Sequence, residues 1–362
     1  MYLARLDVHG LRNLREIKIS LTPGANFFYG ENGSGKTSLL EALFLLGRGR
    51  SFRTRTLDPV INQSVDDCTV FGLLKKEAVE LPLGVSRSRQ GGFQFRVNGQ
   101  SVNNTSSLAE AMPLLLLNAD SFHLLDGGPQ FRRQYVDWGV FHVEHCYRTI
   151  WQQFRKALKQ RNSLLRHDRI DEDVMSVWDV EFVRMADQIN HHRKQYLTDL
   201  VPRIKSILSE LSTLKDIEFK YYPGWDTSHN LSDVLLATRQ RDLQAKVTNQ
   251  GPHRADLRVR FKKQSAKDVL SRGQIKILVT AMQIAQGFLF HERTGGQCLY
   301  LLDDLPAELD LTHRRKVGEL LYRLGAQVFI TGVVKDDLLP SWPESAKNIR
   351  MFHVEHGCIT QE

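Results

Sequence analysis

Along the first 130 residues, apolar positions recur at alternate places or in short runs. Residues 3–9 and 17–21 carry the pattern of half-buried strands. Asn26-Phe27-Phe28-Tyr29 reads as a buried strand that leads through a glycine-rich loop into residues 39–46, whose apolar periodicity predicts a helix. Phe93, Phe95 and Val97 alternate with polar residues ahead of Asn98-Gly99, a dipeptide suited to the positive φ angles of a two-residue hairpin turn. A β-meander near 67–102 follows from this. From about 129 to 210 glycine and proline nearly vanish, and apolar residues fall at helical spacing. Two or three long helices are predicted there, including 147–165 and 174–211, broken near 167–173, as an antiparallel hairpin or short coiled-coil arm. From about 217 strands and helices alternate again, punctuated by Gly224, Gly251-Pro252 and Gly295-Gly296.

The chain therefore reads as α/β, then a helical insertion over 129–245, then α/β again, with 1–128 and 246–362 forming one composite domain. Its 362 residues suit about two domains at ~150 residues each, or one with a large insertion. Lys plus Arg exceed Asp plus Glu by 49 − 41 = +8, a balance that favours polyanionic partners, nucleic acid among them. The four cysteines form no Cys-x-x-Cys pair, so a reducing compartment is expected and a zinc site is not. Charge appears within the first seven residues, and apolar runs such as 114–117 and 299–302 fall far below the ~20 residues that cross a bilayer. A cytoplasmic protein without a membrane partner is expected.

Gly30-Glu31-Asn32-Gly33-Ser34-Gly35-Lys36-Thr37 matches G-x-x-x-x-G-K-[S/T] between a predicted strand and helix. The glycines let backbone N–H groups wrap phosphates at a helix N-terminus, Lys36 reaches the β/γ oxygens, and Thr37 offers a hydroxyl to Mg²⁺. Asn32, Ser34 and Ser38 share that loop. The apolar run 298–302 ends in Asp303-Asp304; beside a phosphate loop, Asp303 is placed to bind Mg²⁺ and Asp304 to orient or deprotonate water. Taken alone, it is a buried strand meeting a turn. Leu270-Ser271-Arg272-Gly273-Gln274 precedes an apolar-periodic helix, with Ser271 where an N-cap belongs.

That pentapeptide resembles the L-S-x-G-Q signature of ABC-type ATPases, and Asp303-Asp304 followed by Ala307-Glu308-Leu309-Asp310 resembles the Walker B and D-loop of their SMC-like branch. More narrowly, the chain resembles the RecF family of bacterial recombination mediators. The matching stretches are Leu11-Arg12-Asn13-Leu14, the phosphate loop, Gly49-Arg50-Ser51-Phe52-Arg53, Gly127-Gly128-Pro129-Gln130-Phe131-Arg132-Arg133, Lys159-Gln160-Arg161-Asn162 and Gly251-Pro252-His253-Arg254-Ala255-Asp256-Leu257. The resemblance implies a P-loop ABC-type ATPase head, lobe I, with an inserted long-helix arm or lobe II. It also implies two heads closing around two ATP molecules, so that Lys36 and Thr37 of one copy and Ser271, Gly273 and Gln274 of the other contact the same nucleotide. Arg12 and Asn13 would lie near it. Slow hydrolysis would release the dimer, and the partners implied are double-stranded DNA or ss/ds junctions and RecR, with RecO and RecA downstream.

Three departures stand out. Asp304 replaces the usual glutamate, one methylene longer. No Q-loop glutamine is evident, with Asn118-Ala119-Asp120 as its nearest equivalent, and Thr331 stands where a switch histidine is expected. Arg48, Arg50, Arg53 and Arg55 crowd behind the phosphate-loop helix and, with Arg132 and Arg133, are DNA-contact candidates; Arg155, Lys156, Lys159 and Arg161 share that composition, as do solvated helix faces. His253 is a phosphate-proximal or a structural histidine. Phe-His-Val-Glu-His occurs at 141–145 and 352–356, a coincidence rather than a metal motif. The principal alternative is the ATPase subunit of a membrane transporter, which predicts a much shorter path from Lys36 to Ser271 and no helical hairpin.

Overall fold

In the computed structural model, residues 1–54, 56, 59–167 and 171–362 are described. The strands in chain order are β1 (Tyr2–His9), β2 (Ile17–Ser20), β3 (Ala25–Tyr29), β4 (Asp67–Lys76), β5 (Val79–Ser88), β6 (Phe93–Val97), β7 (Gln100–Val102), β8 (Leu114–Leu117), β9 (Ile217–Tyr222), β10 (Asp256–Phe261), β11 (Gln264–Ser265), β12 (Leu299–Leu302), β13 (Gln327–Gly332), β14 (Ile349–Glu355) and β15 (Cys358–Gln361). Two compact units form: Met1–Ser121 with Glu210–Ser212 and Lys276–Glu362, and Phe122–Ser209 with Thr213–Ile275.

The first unit holds two six-stranded sheets. One, ordered β2-β1-β4-β5-β6-β7, is antiparallel and contains the expected meander. Asn98 (φ 53°) and Gly99 (φ 75°) both take positive φ between β6 and β7, as the paired left-handed turn requires. The other, β15-β14-β3-β13-β12-β8, is parallel from β14 to β8. β12 and β13 are buried along their whole length, which is why their sequences run apolar instead of alternating. The helix Lys36–Arg48 is buried on nearly every side, and its leucines share one core with β1, β3, β4, β12 and β13. Gln327 ties the two sheets: its side-chain amide pairs with both the N–H (2.7 Å) and the carbonyl (2.8 Å) of Leu3.

In the second unit, the helices Pro129–Val143, Tyr147–Leu164 and all but the last two residues of Glu172–Leu211 follow the predicted periodicity. Residues 168–170, inside the expected break, lie outside the described residues. The helical pair is antiparallel: Phe154 packs on Phe182 at 5.1 Å, and Arg161 reaches Asp179 at 2.7 Å. β9 and β10 pair over six positions, from Ile217↔Phe261 to Asp256↔Tyr222, and so draw residues beyond 246 into this unit. Sequence composition marks no such pairing, because the partners are separated by a helix, Leu231–Ala245.

Two buried arginines staple these helices. Arg161, which composition grouped with exposed basic residues, is 1% exposed and donates to Asp179, Asp242 and Thr248, each at 2.7 Å. Arg193 donates through Nε and Nη2 to Asp137 at 2.8 and 2.9 Å and through Nη1 to the Pro252 carbonyl. His253 is likewise structural: its Nε2 lies 2.9 Å from the Thr248 carbonyl, and Phe154 and Phe182 flank its ring. Burial pushes its pKa down to about 4.

Replacing Arg161 with Met leaves the fully buried Asp242 carboxylate with hydrogen bonds from Asn249 but without its arginine counter-charge, so a loss of about 3–5 kcal/mol in urea unfolding is expected. A stability within about 1 kcal/mol of the parent would contradict this account. For His253, the unfolded chain takes up a proton near pH 6.5 and the folded chain only near 4, so stability present above pH 6.5 declines as pH falls through that window. The decline is roughly 3 kcal/mol, and thermal melts of His253→Gln should lose that slope between pH 6.5 and about 4.

Candidate nucleotide site

β3 ends at Tyr29 and the chain turns through the glycine loop into the Lys36–Arg48 helix. Gly30 is obligatory: a Cβ there would stand 2.1 Å from the Val354 carbonyl oxygen. Gly33 and Gly35 take φ of 82° and 122°, open to glycine at no steric cost. Asn13 clamps the loop to the helix, its Nδ2 donating to the Gly33 carbonyl at 3.0 Å and its Oδ1 accepting from Ser38 Oγ at 2.9 Å. The helix has no side-chain N-cap, and the Ser34 hydroxyl is buried without a hydrogen-bond partner. The free backbone N–H groups of that helix end are donors for an anion, whereas Ser34 does not line the cleft. Lys36 Nζ donates back to the carbonyls of Gly30 (2.7 Å) and Glu31 (2.8 Å); burial lowers its pKa, against the raising effect of Asp304 and Asp303.

β12 delivers Asp303 to the same place. Thr37 Oγ1 donates to Asp303 Oδ1 at 3.1 Å and Thr331 Oγ1 to the same oxygen at 2.8 Å, while the Asp304 N–H donates to Thr331 Oγ1 at 2.7 Å. Burial raises the Asp303 pKa, and a bound cation would reverse that cost. Asp304 adopts the left-handed conformation (φ 48°), a strained choice that Asp tolerates better than most residues. A hydroxyl and a carboxylate on one edge suit a hard, oxygen-seeking cation such as Mg²⁺, and the loop suits a polyphosphate. The residues fit ATP with Mg²⁺.

The cleft over these groups measures about 1020 Å³ and is lined by Arg12, Asn13, Asn32, Gly33, Gly35, Lys36, Thr37, Ser38, Asp303, Asp304 and Thr331. It also takes in Arg53, Asn62, Gln63 and Arg89, which sequence reading did not place there. The stretch around Asn62 lies against residues 11–13 through a Leu11–Ile61 bridge and the Arg12 N–H to Val60 carbonyl bond (2.8 Å), and Arg89 Nη2 donates to the Asn62 carbonyl at 3.0 Å. No local pattern signals those long-range contacts. Glu41 was legible and missed: a carboxylate inside the apolar run Leu39–Leu46 demands a partner. Arg12 supplies a bidentate pair at 2.8 Å to each oxygen, and Arg53 stands 3.7 Å away. Asn118, the expected Q-loop equivalent, instead accepts from the Ser121 N–H (3.0 Å) and hydroxyl (2.8 Å) and does not line the cleft.

The signature residues stand on the second unit. Ser271 and Gln274 form a reciprocal cap, with Ser271 N–H donating to Gln274 Oε1 (2.9 Å) and Gln274 N–H to Ser271 Oγ (3.3 Å). Ser271, Arg272, Gly273 and Gln274 are all exposed, and a Cβ on Gly273 would meet nothing within 4 Å, so internal packing does not require that glycine.

The basic candidates divide. Arg50 and Arg53 are exposed, and Arg55 lies outside the described residues. Arg48 turns inward, donating to the Leu114 carbonyl, and burial brings its pKa down to about 9. Arg132 pairs with Asp256 at 2.7 Å, and Arg133 donates to the Ala255 carbonyl at 2.8 Å. These three serve the fold instead of presenting free cations to phosphate. Arg155, Lys156 and Lys159 remain exposed on the Tyr147–Leu164 helix.

The model of the RecF/RecN/SMC N terminal domain matches residues 2–360. The DNA replication and repair protein RecF of Pseudomonas syringae pv. syringae (strain B728a) is 48% identical over 362 residues, covering 100% of this chain and 98% of that protein. Its namesake from Pseudomonas aeruginosa (strain LESB58) is 47% identical over the same span, with 98% of it covered. Among solved structures, the recombination mediator protein RecF-ATP in the RecFOR pathway superposes with a TM-score of 0.87 at 26% identity, covering 100% of this chain and 97% of that one. An Smc head bound to the C-winged helix domain of ScpA shares the fold, with a TM-score of 0.61 at 13% identity, 100% of this chain and 98% of the other being covered. With an ABC-type head fold and this identity from end to end, the chain belongs to the RecF/RecN/SMC family and, within it, to the RecF proteins.

Proposed function

We propose that the chain is an ATP-switched DNA-binding protein of recombinational gap repair. The observation that carries this reading is the convergence of Lys36, Thr37, Asp303 and Thr331 beneath an uncapped helix N-terminus. Lys36 and the loop amides would hold the phosphates, and Thr37 with Asp303 would hold Mg²⁺, which neutralises charge on the β- and γ-phosphate oxygens. Asp304 would orient the attacking water, whose oxygen bonds to the γ-phosphorus as the bond to the β-phosphate oxygen breaks. Its side chain is one methylene shorter than glutamate, which supports slow turnover.

Gly273 faces open space and Ser271 caps an exposed helix end, features that support docking of this signature against the nucleotide of a second copy. ATP would then drive dimerisation by mass action, and hydrolysis would release it. Arg50, Arg155, Lys156 and Lys159 are exposed cations for duplex or ss/ds junction DNA, whereas Arg53, though exposed, lines the cleft and lies 3.7 Å from Glu41. The names of the relatives, a DNA replication and repair protein and a recombination mediator of the RecFOR pathway, support RecR and RecO as partners, and the family resemblance adds RecA downstream. A transporter subunit is disfavoured by the end-to-end match to the repair proteins.

Fluorescence anisotropy of labelled duplex at two salt concentrations tests the switch. Tighter, salt-sensitive binding is expected with ATP and not with ADP or without nucleotide, and Lys36→Ala should abolish the difference. Equal weak binding in every state would refute ATP gating. Thr331→Val removes one donor to Asp303 and the acceptor of the Asp304 N–H; single-turnover phosphate release should slow by roughly 10–100-fold while ATP still binds.

A further inference from the structure

The first copy of Phe-His-Val-Glu-His does not bring its own histidines together. His142 is buried and packs on Trp138 at 4.5 Å, whereas His145 is exposed. What the fold assembles instead spans two segments. The Pro129–Val143 helix ends at Glu144, and Cys146 is the N-cap of the Tyr147–Leu164 helix. Both side chains meet His192, which comes from the middle of the Glu172–Leu211 helix.

We propose that Glu144, Cys146 and His192 form a site for a borderline-soft divalent cation of the zinc class, separate from the nucleotide's Mg²⁺. One ligand atom from each lies within 4.8 Å of the other two. Cys146 Sγ stands 3.5 Å from His192 Nε2, about the sulfur-to-nitrogen edge of a tetrahedron with Zn–S near 2.3 Å and Zn–N near 2.0 Å. His192 would ligate through Nε2, the nitrogen that faces Cys146, and a Glu144 carboxylate oxygen belongs to the same cluster, 3.9 Å from the ring's other nitrogen. Thiolate, carboxylate and neutral imidazole sum to −2, matching a divalent cation; the thiol releases its proton to solvent as the sulfur–metal bond forms.

The ligands rest on a rigid frame. Tyr147, next to Cys146, is buried, donates its hydroxyl to Asp137 at 2.6 Å and sets its ring edge-on to His192 at 6.1 Å. Arg193, next to His192, is fixed by the same Asp137. Three protein ligands leave the fourth position to water or to His145 or His191, each adjacent in sequence to a ligand. Bound there, the cation would pin the junction of the first two helices to the long helix. A sulfur ligand excludes Mg²⁺ as its natural occupant.

Titrating the metal-free, full-length protein with Co²⁺, without nucleotide, tests the site. A thiolate-to-cobalt charge-transfer band in the near ultraviolet, saturating at about one equivalent and displaced by Zn²⁺ but not by millimolar Mg²⁺, is expected. Cys146→Ser should lose the band, and Glu144→Gln should weaken Co²⁺ binding by roughly 10-fold while leaving the metal-free melting temperature unchanged. No band, or one that persists in Cys146→Ser, overturns the proposal.

Discussion

A charge inside an apolar core is tolerated only with a partner, and that constraint organises both units. In the first, Glu41 lies fully buried in the Lys36–Arg48 helix, and its carboxylate draws Arg12, Ser51 and Arg53 to one point. The segment that carries Arg12 also carries Asn13, the clamp on the glycine loop. One buried carboxylate thus fixes the walls on either side of the nucleotide cleft. In the second unit Asp242 and Asp137 play the same part, each answered by an arginine from a different helix.

This constraint also explains why basic residues are poor guides to DNA contact when read by composition. Arg161 lies two positions from Lys159 on one helix, yet the first is buried on Asp179 and Asp242 while the second is exposed. Arg132 and Arg133, adjacent in a basic pair, are both consumed by β10 and the residue before it. Their partners lie more than 120 positions away in the chain, so no local pattern distinguishes a staple from a solvated cation.

Features set by short-range physics were legible. The Asn98-Gly99 turn, the two leucine-rich parallel strands, the long helices and the phosphate loop each follow from spacing within a dozen residues. Asp303 was legible because an apolar run ending in carboxylates has few other uses beside such a loop. The segment around Asn62 and the β9–β10 pairing were not, since each depends on closing a long loop whose ends carry no complementary signature. Cys146 and His192 belong with these: neither neighbours the other in sequence, and only the helical packing brings them together.

Thr331, named from the sequence as the stand-in for a switch histidine, lines the cleft, and its hydrogen bonds limit what it can donate there. A hydroxyl has one proton to donate. Here that proton goes to Asp303 Oδ1, and the lone pairs take the Asp304 N–H. Thr331 therefore has no donor left for a phosphate, as a switch histidine would have. It bonds both aspartates, Asp304 donating its N–H from a left-handed backbone. The short carboxylate at 304 and the hydroxyl at 331 then form one arrangement: the first is positioned by its own backbone, and the second acts as the strut.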